Sequence, residues 1–558
     1  MRGKLHPAVI KILKSRGIER ESDIAEFISQ KPMTTHDPFL MADLREAAEC
    51  IYKKINDGAK ICIYGDYDAD GVTSVGILWR VFSDLIAHCE KNERTKSAAL
   101  NERISYYIPS RFQEGYGLNK SAIKEIADCG TDMIVTVDCG SSNIDEVNYA
   151  KNLGMDIVIT DHHSVGEEYP DCLFLNPQRK DCGYPFKELA GCGVAFKLAQ
   201  GLQRISGLEK KSLNSLLELV AIGTLADVMP VMDENRTLIK YGLRKIINNP
   251  SSVMTNILHN FALTSDSVNT EKITYLIVPM INSAGRMGNA DEAVKLFVDE
   301  NSSDLESQIC TVMEMNKRRK RIQESLYKQC LADVDESKEI IVLKPTNSHE
   351  GIAGIVAGKL KQKLLKPVII LSKTKNGYKG TARSTDGFDL YAFLSGHKDA
   401  LLTFGGHRSA CGLTVSSNCV EEFIADIERG MAEYCSCNPD ILNESVKYDA
   451  LLVVKDIDEY LVNSINMLEP FGNKNERPKF GLRDVEIRDL REFGDGKHLR
   501  FLVRSGGSFA NLQCIFFNID DEQKNFLKRS ERVNITGVVD VNEFRGNKNI
   551  RFIVDKLF

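Results

Sequence analysis

Three short apolar runs mark the first third of the chain: Ile61-Cys62-Ile63-Tyr64, Met133-Ile134-Val135-Thr136-Val137 and Ile157-Val158-Ile159-Thr160. They are too short for helices and lack polar alternation, so each predicts a strand buried on both faces, as in a parallel sheet. Between them apolar residues recur at helical spacing over 73–87 and 142–152. Strands alternating with helices predict a parallel sheet with crossover helices, and residues 57–300 form that first unit, mostly helical after 212. Upstream, Val9, Ile12 and Leu13, then Ala47, Ile51 and Ile55, keep helical spacing and predict an N-terminal helical segment over 1–56. Downstream, 301–337 lacks a helix breaker around Met315-Asn316-Lys317-Arg318-Arg319-Lys320-Arg321 and predicts a connecting helix rather than a loose linker.

The runs Ile340-Ile341-Val342-Leu343 and Val368-Ile369-Ile370-Leu371, with a helix over 354–365 between them, predict a second, smaller α/β unit over 338–438. From 439 to 558 the pattern changes to alternation, as in Leu499-Arg500-Phe501-Leu502-Val503 and Val533-Asn534-Ile535-Thr536-Gly537-Val538-Val539. That texture predicts a small β-barrel.

The residues just past each early strand carry the chemistry. The first strand delivers Gly65-Asp66-Tyr67-Asp68-Ala69-Asp70-Gly71, the second Asp138-Cys139-Gly140, the third Asp161-His162-His163. In open α/β sheets ligands bind beyond the carboxyl ends of the strands, and carboxylates gathered there repel one another unless a cation joins them. Alternate residues of an extended segment face one side, so Asp66, Asp68 and Asp70 can address a common point. Thr73 and Ser74 offer a helix start whose free N–H groups favour anions. A calcium loop is excluded because Ile77, not glutamate, stands twelfth from Asp66. Asp138 alone could be a helix cap. In the triplet, Asp161 can orient one imidazole while the other binds metal. Asp227, in Ala226-Asp227-Val228, should be buried and needs a partner: a metal is the preferred reading, a helix cap or a salt bridge the alternative. Mixed Asp and His donors suit Mn²⁺ or Mg²⁺ rather than zinc, and two such ions suit phosphoester hydrolysis. No Walker-type phosphate loop accompanies them, which argues against motor chemistry.

Composition sets bounds. A chain of 558 residues with 43% hydrophobic and 27% charged residues is ordinary globular protein of several domains. The net charge of −6 excludes a protein that coats nucleic acid by bulk charge, but leaves local basic tracks open. The 15 cysteines are scattered and form no Cys-x-x-Cys pair, which predicts reduced thiols. No secretory signal or membrane-length apolar stretch is present, so a cytoplasmic location is expected.

The segments Tyr64–Ser74, Val137–Gly140, Thr160–His163 and Gly223–Val228 resemble the signature motifs of the DHH phosphoesterases. Within them the chain is similar, over nearly its whole length, to the single-strand-specific 5′→3′ DNA exonucleases. Ile108–Phe112, Glu114–Leu118 and Ile281–Gly288 carry the likeness further, as do His349-Glu350-Gly351, Ala382-Arg383-Ser384 and Phe404-Gly405-Gly406-His407. Arg408-Ser409 stand where the family often has small residues.

The resemblance implies a parallel-sheet DHH domain, a DHH-associated domain and, after Leu468-Glu469-Pro470-Phe471-Gly472, an OB-fold nucleic-acid-binding domain. It implies metal ligation by Asp66, Asp68, Asp70, Asp138, His162 and Asp227, with catalytic roles for Asp138, His162 and His163. It implies phosphate contacts by Arg111, Arg286, Arg383, Ser384 and His407. On the barrel, Lys497, His498, Arg500, Phe501, Phe544, Arg545 and Lys548 are candidate strand contacts. The implied partner is single-stranded DNA with a 5′ end, presented by a helicase and a single-strand-binding protein, to a monomeric enzyme. Rival expectations are a phosphodiesterase of short RNA or cyclic dinucleotides, and a noncatalytic replication scaffold.

Overall fold

The computed structural model describes residues 5–93, 100–299, 302–375, 377–442, 446–505, 510–544 and 547–558. Its first sheet has five parallel strands: β1 Ile61–Tyr64, β2 Ile104–Tyr107, β3 Met133–Val137, β4 Asp156–Thr160 and β5 Leu173–Leu175, in the order β2-β1-β3-β4-β5. The three expected strands are its centre. Because successive side chains leave opposite faces, Ile61, Ile63, Val135 and Val158 enter one core and Cys62, Tyr64, Ile134 and Ile159 the other. The edge strands β2 and β5 escape the pattern reading, β2 because it is only partly buried and β5 because it has three residues.

Helices Ala69–Glu93, Gly191–Ser206 and Lys210–Ala226 cover one face of this sheet. The first starts earlier than expected. Ala69 opens it, so Thr73 sits a turn inside, its hydroxyl donating to the Ala69 carbonyl, and Asp70 belongs to the helix rather than to an extended loop.

The N-terminal segment is not one unit. Helix Leu44–Asn56 buries Ala47, Ile51 and Ile55 in the first core, whereas helices Pro7–Ser15 and Glu21–Ile28 bury Val9, Ile12, Leu13 and Phe27 against the C-terminal barrel. Arg236 locks this junction. It lies 3.7 Å over the Phe27 ring and donates to the carbonyls of Phe27, Glu469 and Pro470.

The connecting helix Leu305–Ala332 begins in the first core with Ile309 and Val312 and ends in the second with Leu326 and Cys330. The second sheet comprises β6 Ile341–Leu343, β7 Val368–Thr374, β8 Gly377–Arg383, β9 Leu401–His407 and β10 Ala410–Val415, ordered β6-β7-β8-β10-β9. Only β6 and β7 are parallel. Helix Glu350–Leu364 packs on one face and Val420–Cys437 on the other.

The C-terminal unit contains β11 Ala450–Leu452, β12 Phe480–Phe493, β13 His498–Arg504, β14 Leu512–Phe516, β15 Arg532–Phe544 and β16 Asn547–Leu557. Pairing of β15 back to β12 closes a five-stranded barrel, which agrees with the OB-fold expectation. Phe501 is fully buried in it. It fills the barrel and cannot stack on a base, which corrects its place among the strand contacts. Arg500, one residue along, is exposed. The side chains of Phe544 and Lys548, and all of Arg545, lie outside the described residues.

Candidate metal centre and arginine cleft

Parallel strands ending at one edge bring distant segments together. Asp66 follows β1, Asp138 follows β3, and Asp161-His162-His163 follow β4. Asp227 caps the end of helix Lys210–Ala226 and is half-buried, not fully buried as expected. Ligand-bearing atoms of Asp70, His162 and Asp227 lie within 4.8 Å of one another, and so do those of Asp66, Asp68 and Asp138. The six predicted side chains thus form two triads, joined where His162 Nε2 lies 3.1 Å from Asp138 Oδ1. From the same nitrogen, Asp227 Oδ2 is 3.5 Å and Asp70 Oδ2 3.9 Å away.

Close helix packing makes this possible. A Cβ on Gly191 would lie 2.7 Å from Asp138 Cβ, and one on Gly223 would lie 2.7 Å from Asp70 Oδ1 and 2.4 Å from Thr73 Oγ1. Both Asp70 oxygens accept from the first amides of helix Gly191–Ser206, Gly191 at 2.6 Å and Cys192 at 2.9 Å. Asp138 itself has φ 61°, an uncommon conformation for a residue with a Cβ and one that concentrates at functional sites.

The electrostatics call for cations. Burial, then the charges of neighbouring aspartates, pushes Asp66 and Asp138 well above the carboxylate range, and Asp227 up to about 8. Asp66 Oδ1 and His162 Nε2 are buried without a hydrogen-bond partner. Oxygen-rich donors plus one imidazole, with orphaned atoms facing inward, fit divalent metal ions.

Asp161 lies close to these donors, in a third group with Asp138, His162 and His163 whose ligand atoms also fall within 4.8 Å of one another, but its oxygens are turned to hydrogen bonds. Its Oδ1 accepts from the His162 amide at 2.7 Å and lies 2.8 Å from His163 Nδ1, while its Oδ2 accepts from the Ser141 amide at 2.9 Å. Burial lowers the His163 pKa, but the hydrogen bond and charge of Asp161 outweigh it and raise the imidazole to about 9. Tyr116, which the sequence reading did not single out, places its hydroxyl 2.9 Å from His163 Nδ1 and donates to the Asp138 carbonyl. Its signal was its place in the Glu114–Leu118 motif.

Beside the carboxylates lies a group of cations. Arg111 stacks 5.0 Å from the Tyr67 ring, and its charge reaches Asp66; that of Asp68 reaches Arg286. Arg286 ends helix Val278–Arg286 and Arg383 ends β8, so of the three only Arg111 sits in a turn. Arg383, Ala410 and His407 share one register row across β8, β10 and β9. Their side chains therefore leave the same face, with Arg383 and His407 about 10 Å apart. Ser384 does not join them: it is buried and donates to the Phe388 carbonyl at 2.8 Å. No described contact links Lys497 or His498 to this cleft. His498 instead packs with the exposed Phe493 and Phe517 on the barrel.

A parallel sheet with metal-binding acids at its strand ends, a second α/β unit and a barrel define a phosphoesterase of the DHH class. The DHH family, N-terminal domain, matches residues 60–224, the DHHA1 domain 337–433 and the RecJ OB domain 448–556. The single-stranded-DNA-specific exonuclease RecJ of Bacillus subtilis (strain 168) is 33% identical over 555 residues, covering 98% of this chain and 67% of its own length. The crystal structure of RecJ in complex with Mn²⁺ from Thermus thermophilus superposes with a TM-score of 0.82 at 26% identity, over 99% of this chain and 76% of that one. Its complex with Mg²⁺ gives 0.76 at 25% identity, over 99% and 74%. The chain belongs to the RecJ family of single-stranded-DNA-specific exonucleases.

Proposed function

We propose that this protein degrades single-stranded DNA stepwise from a 5′ end to 5′-mononucleotides, in DNA repair and recombination. The division of six converging side chains into two triads carries this reading. Asp66, Asp68 and Asp138 would hold one divalent ion, and Asp70, His162 and Asp227 the other. Bound Mn²⁺ or Mg²⁺ supplies an activated water and positive charge opposite the phosphoryl oxygens.

The chain's own residues do the rest. Asp161 engages Nδ1 of His163 and raises its pKa, so the imidazolium can present Nε2–H to the departing oxygen. Arg111 and Arg286 offer planar forks to non-bridging phosphate oxygens, geometry that lysine does not reproduce. Selection for a single strand would come from the passage between the two α/β units, too narrow for a duplex. No helix of the described residues is long and apolar enough to cross a membrane. Action would be in the cytoplasm. There a helicase and a single-strand-binding protein would present the strand to a monomer.

Incubation of the protein and Mn²⁺ with end-labelled single-stranded DNA, blunt duplex, short RNA and a cyclic dinucleotide tests this. The expected result is mononucleotide release from the 5′ end of single-stranded DNA. Preferential turnover of the cyclic dinucleotide, or efficient attack on blunt duplex without a helicase, refutes it.

A further inference from the structure

The loop that joins β2 to helix Lys120–Asp128 is tied down by one carboxylate, that of Glu114. Its Oε1 accepts from the Tyr107 hydroxyl at 2.8 Å and from Asn119 Nδ2 at 3.0 Å, and its Oε2 accepts from the Ser110 amide at 2.6 Å. Tyr107 ends β2 and stacks on Tyr64 of β1, the ring centroids 5.3 Å apart. The Tyr64 hydroxyl accepts from Asn119 Nδ2 at 3.2 Å and donates to the Gly117 carbonyl at 3.0 Å. Glu114 therefore fastens both ends of the loop to the sheet. Near its middle, Gly115 and Gly117 take φ of 85° and 88°, a region that favours glycine. The residue they flank, Tyr116, turns toward the metal centre.

The Tyr116 hydroxyl lies 2.9 Å from His163 Nδ1 and 3.1 Å from the Asp138 carbonyl oxygen. A carbonyl only accepts, so the phenolic hydrogen goes to Asp138 and the phenol oxygen accepts from Nδ1. The other neighbour of Nδ1, Asp161 Oδ1 at 2.8 Å, is an acceptor too. Two acceptors keep a proton on Nδ1 and leave Nε2 as the nitrogen that exchanges one. The rings of Tyr116 and His163 also meet edge to face, with centroids 5.3 Å apart. The imidazole is thus held from two sides, by Asp161 after β4 and by a loop after β2. Tyr116 is 47% exposed, so loss of its hydroxyl leaves the cores untouched.

We infer that Tyr116, on the loop fastened by Glu114, is a positioning residue for proton delivery to the leaving group: it fixes His163 with Nε2–H toward the departing 3′ oxygen. In that step a water oxygen bonds to phosphorus and releases a proton to solvent. The P–O3′ bond breaks with its electron pair on O3′, which takes the proton from Nε2, and solvent reprotonates the imidazole. The products are a nucleotide with a 3′ hydroxyl and a strand with a new 5′ phosphate. This inference rests on the proposed exonuclease reading.

The test uses the full-length protein with Mn²⁺ and two oligothymidylates that differ in one atom. The bridging 3′ atom of the first linkage is oxygen in one and sulfur in the other. A thiolate departs without a proton, because thiols are far stronger acids than alcohols. In Tyr116→Phe, kcat on the oxygen substrate should fall roughly tenfold with KM unchanged, and kcat on the sulfur substrate should stay within about twofold of wild type. Glu114→Gln cannot accept from the Ser110 amide in the same way. It should also slow the oxygen substrate selectively, and raise KM because Arg111 rides on the same loop. Equal losses on oxygen and sulfur, as a merely structural role would give, overturn the inference, and so does full activity of Tyr116→Phe on oxygen. Equal losses in Glu114→Gln overturn the part given to the loop. A wild-type protein that cleaves neither substrate refutes the exonuclease reading by itself. The ¹⁵N shift of His163 Nδ1 in histidine-labelled protein then decides: it should move in Tyr116→Phe, and an unmoved signal overturns the hydrogen bond.

Discussion

His162 Nε2 and Asp138 Oδ1 face each other at 3.1 Å across the ends of β4 and β3, and no hydrogen bond satisfies the imidazole nitrogen. Each is buried, and Asp138 also lies among Asp66, Asp68 and Asp70. The arrangement is costly without cations and favourable with them.

Asp138→Asn should therefore separate two effects. In chelator-treated protein the variant removes one repelling carboxylate, and Tm should rise by about 2 °C or more. With Mn²⁺ added, the wild type should gain stability, by about 2.7 kcal/mol at a hundredfold excess over Kd, and the variant much less. Nuclease activity should be lost. Thermal melts with chelator and with Mn²⁺ check this, and a lower metal-free Tm for the variant would count against a cation site.

Asp161 positions His163: its Oδ1 lies 2.8 Å from the His163 Nδ1 and also accepts from the His162 amide, while its Oδ2 accepts from the Ser141 amide. Asp161→Asn should lower kcat about 10- to 100-fold, the range for losing an orienting carboxylate behind a metal-site histidine. The Mn²⁺-induced rise in Tm should be largely kept. Loss of that rise would show that Asp161 is itself a ligand.

Gly223 admits no Cβ: the added atom would lie 2.4 Å from Thr73 Oγ1, 2.6 Å from Cys192 Sγ and 2.7 Å from Asp70 Oδ1. Gly223→Ala should cost roughly 1–3 kcal/mol by overpacking and displace Asp70, so activity should fall far more than the folded fraction at room temperature. Circular dichroism melts set against exonuclease rates test it. Full activity in the variant would mean that the helices separate without moving the ligands.

Lys240 is buried, with Nζ donating to the Phe27 carbonyl at 3.1 Å and the Ser29 carbonyl at 2.7 Å. Burial, and then the charges of Arg236 and Arg244, pushes it down from 10.5 to about 7. Below pH 7 it is protonated in both the folded and unfolded chain. Between that value and 10.5 the unfolded chain binds more protons, so this group makes stability rise with pH across the window. Lys240→Met should remove that rise. The measurement is Tm for both proteins at a series of pH values from neutral upward, and a constant difference between them would refute the assignment.

Much of this organisation is local and therefore legible. A strand buried on both faces needs an unbroken apolar run, so β1, β3 and β4 declare themselves, and the acids following them mark the ligand edge. Register is not local. That Arg383 and His407 share a row depends on β10 pairing with both β8 and β9. Alternation along β13 shows that one of Arg500 and Phe501 faces inward, but only closure of the barrel sends Phe501 into the core. For Ser384, the carbonyl of Phe388 four residues on captures the hydroxyl, a contact that motif reading could not weigh against a phosphate.

Sequence alone determined which segments must leave water and which side chains bring metal-binding chemistry, because apolar spacing and residue type are properties of the chain. It could not say what would cover each apolar face. The helices Pro7–Ser15 and Glu21–Ile28 show the same amphipathic spacing as Leu44–Asn56, yet they complete the C-terminal core while Leu44–Asn56 joins the first. Tertiary packing decided that, and it also set unpaired arginines from several elements side by side, since burial takes no account of distance along the chain.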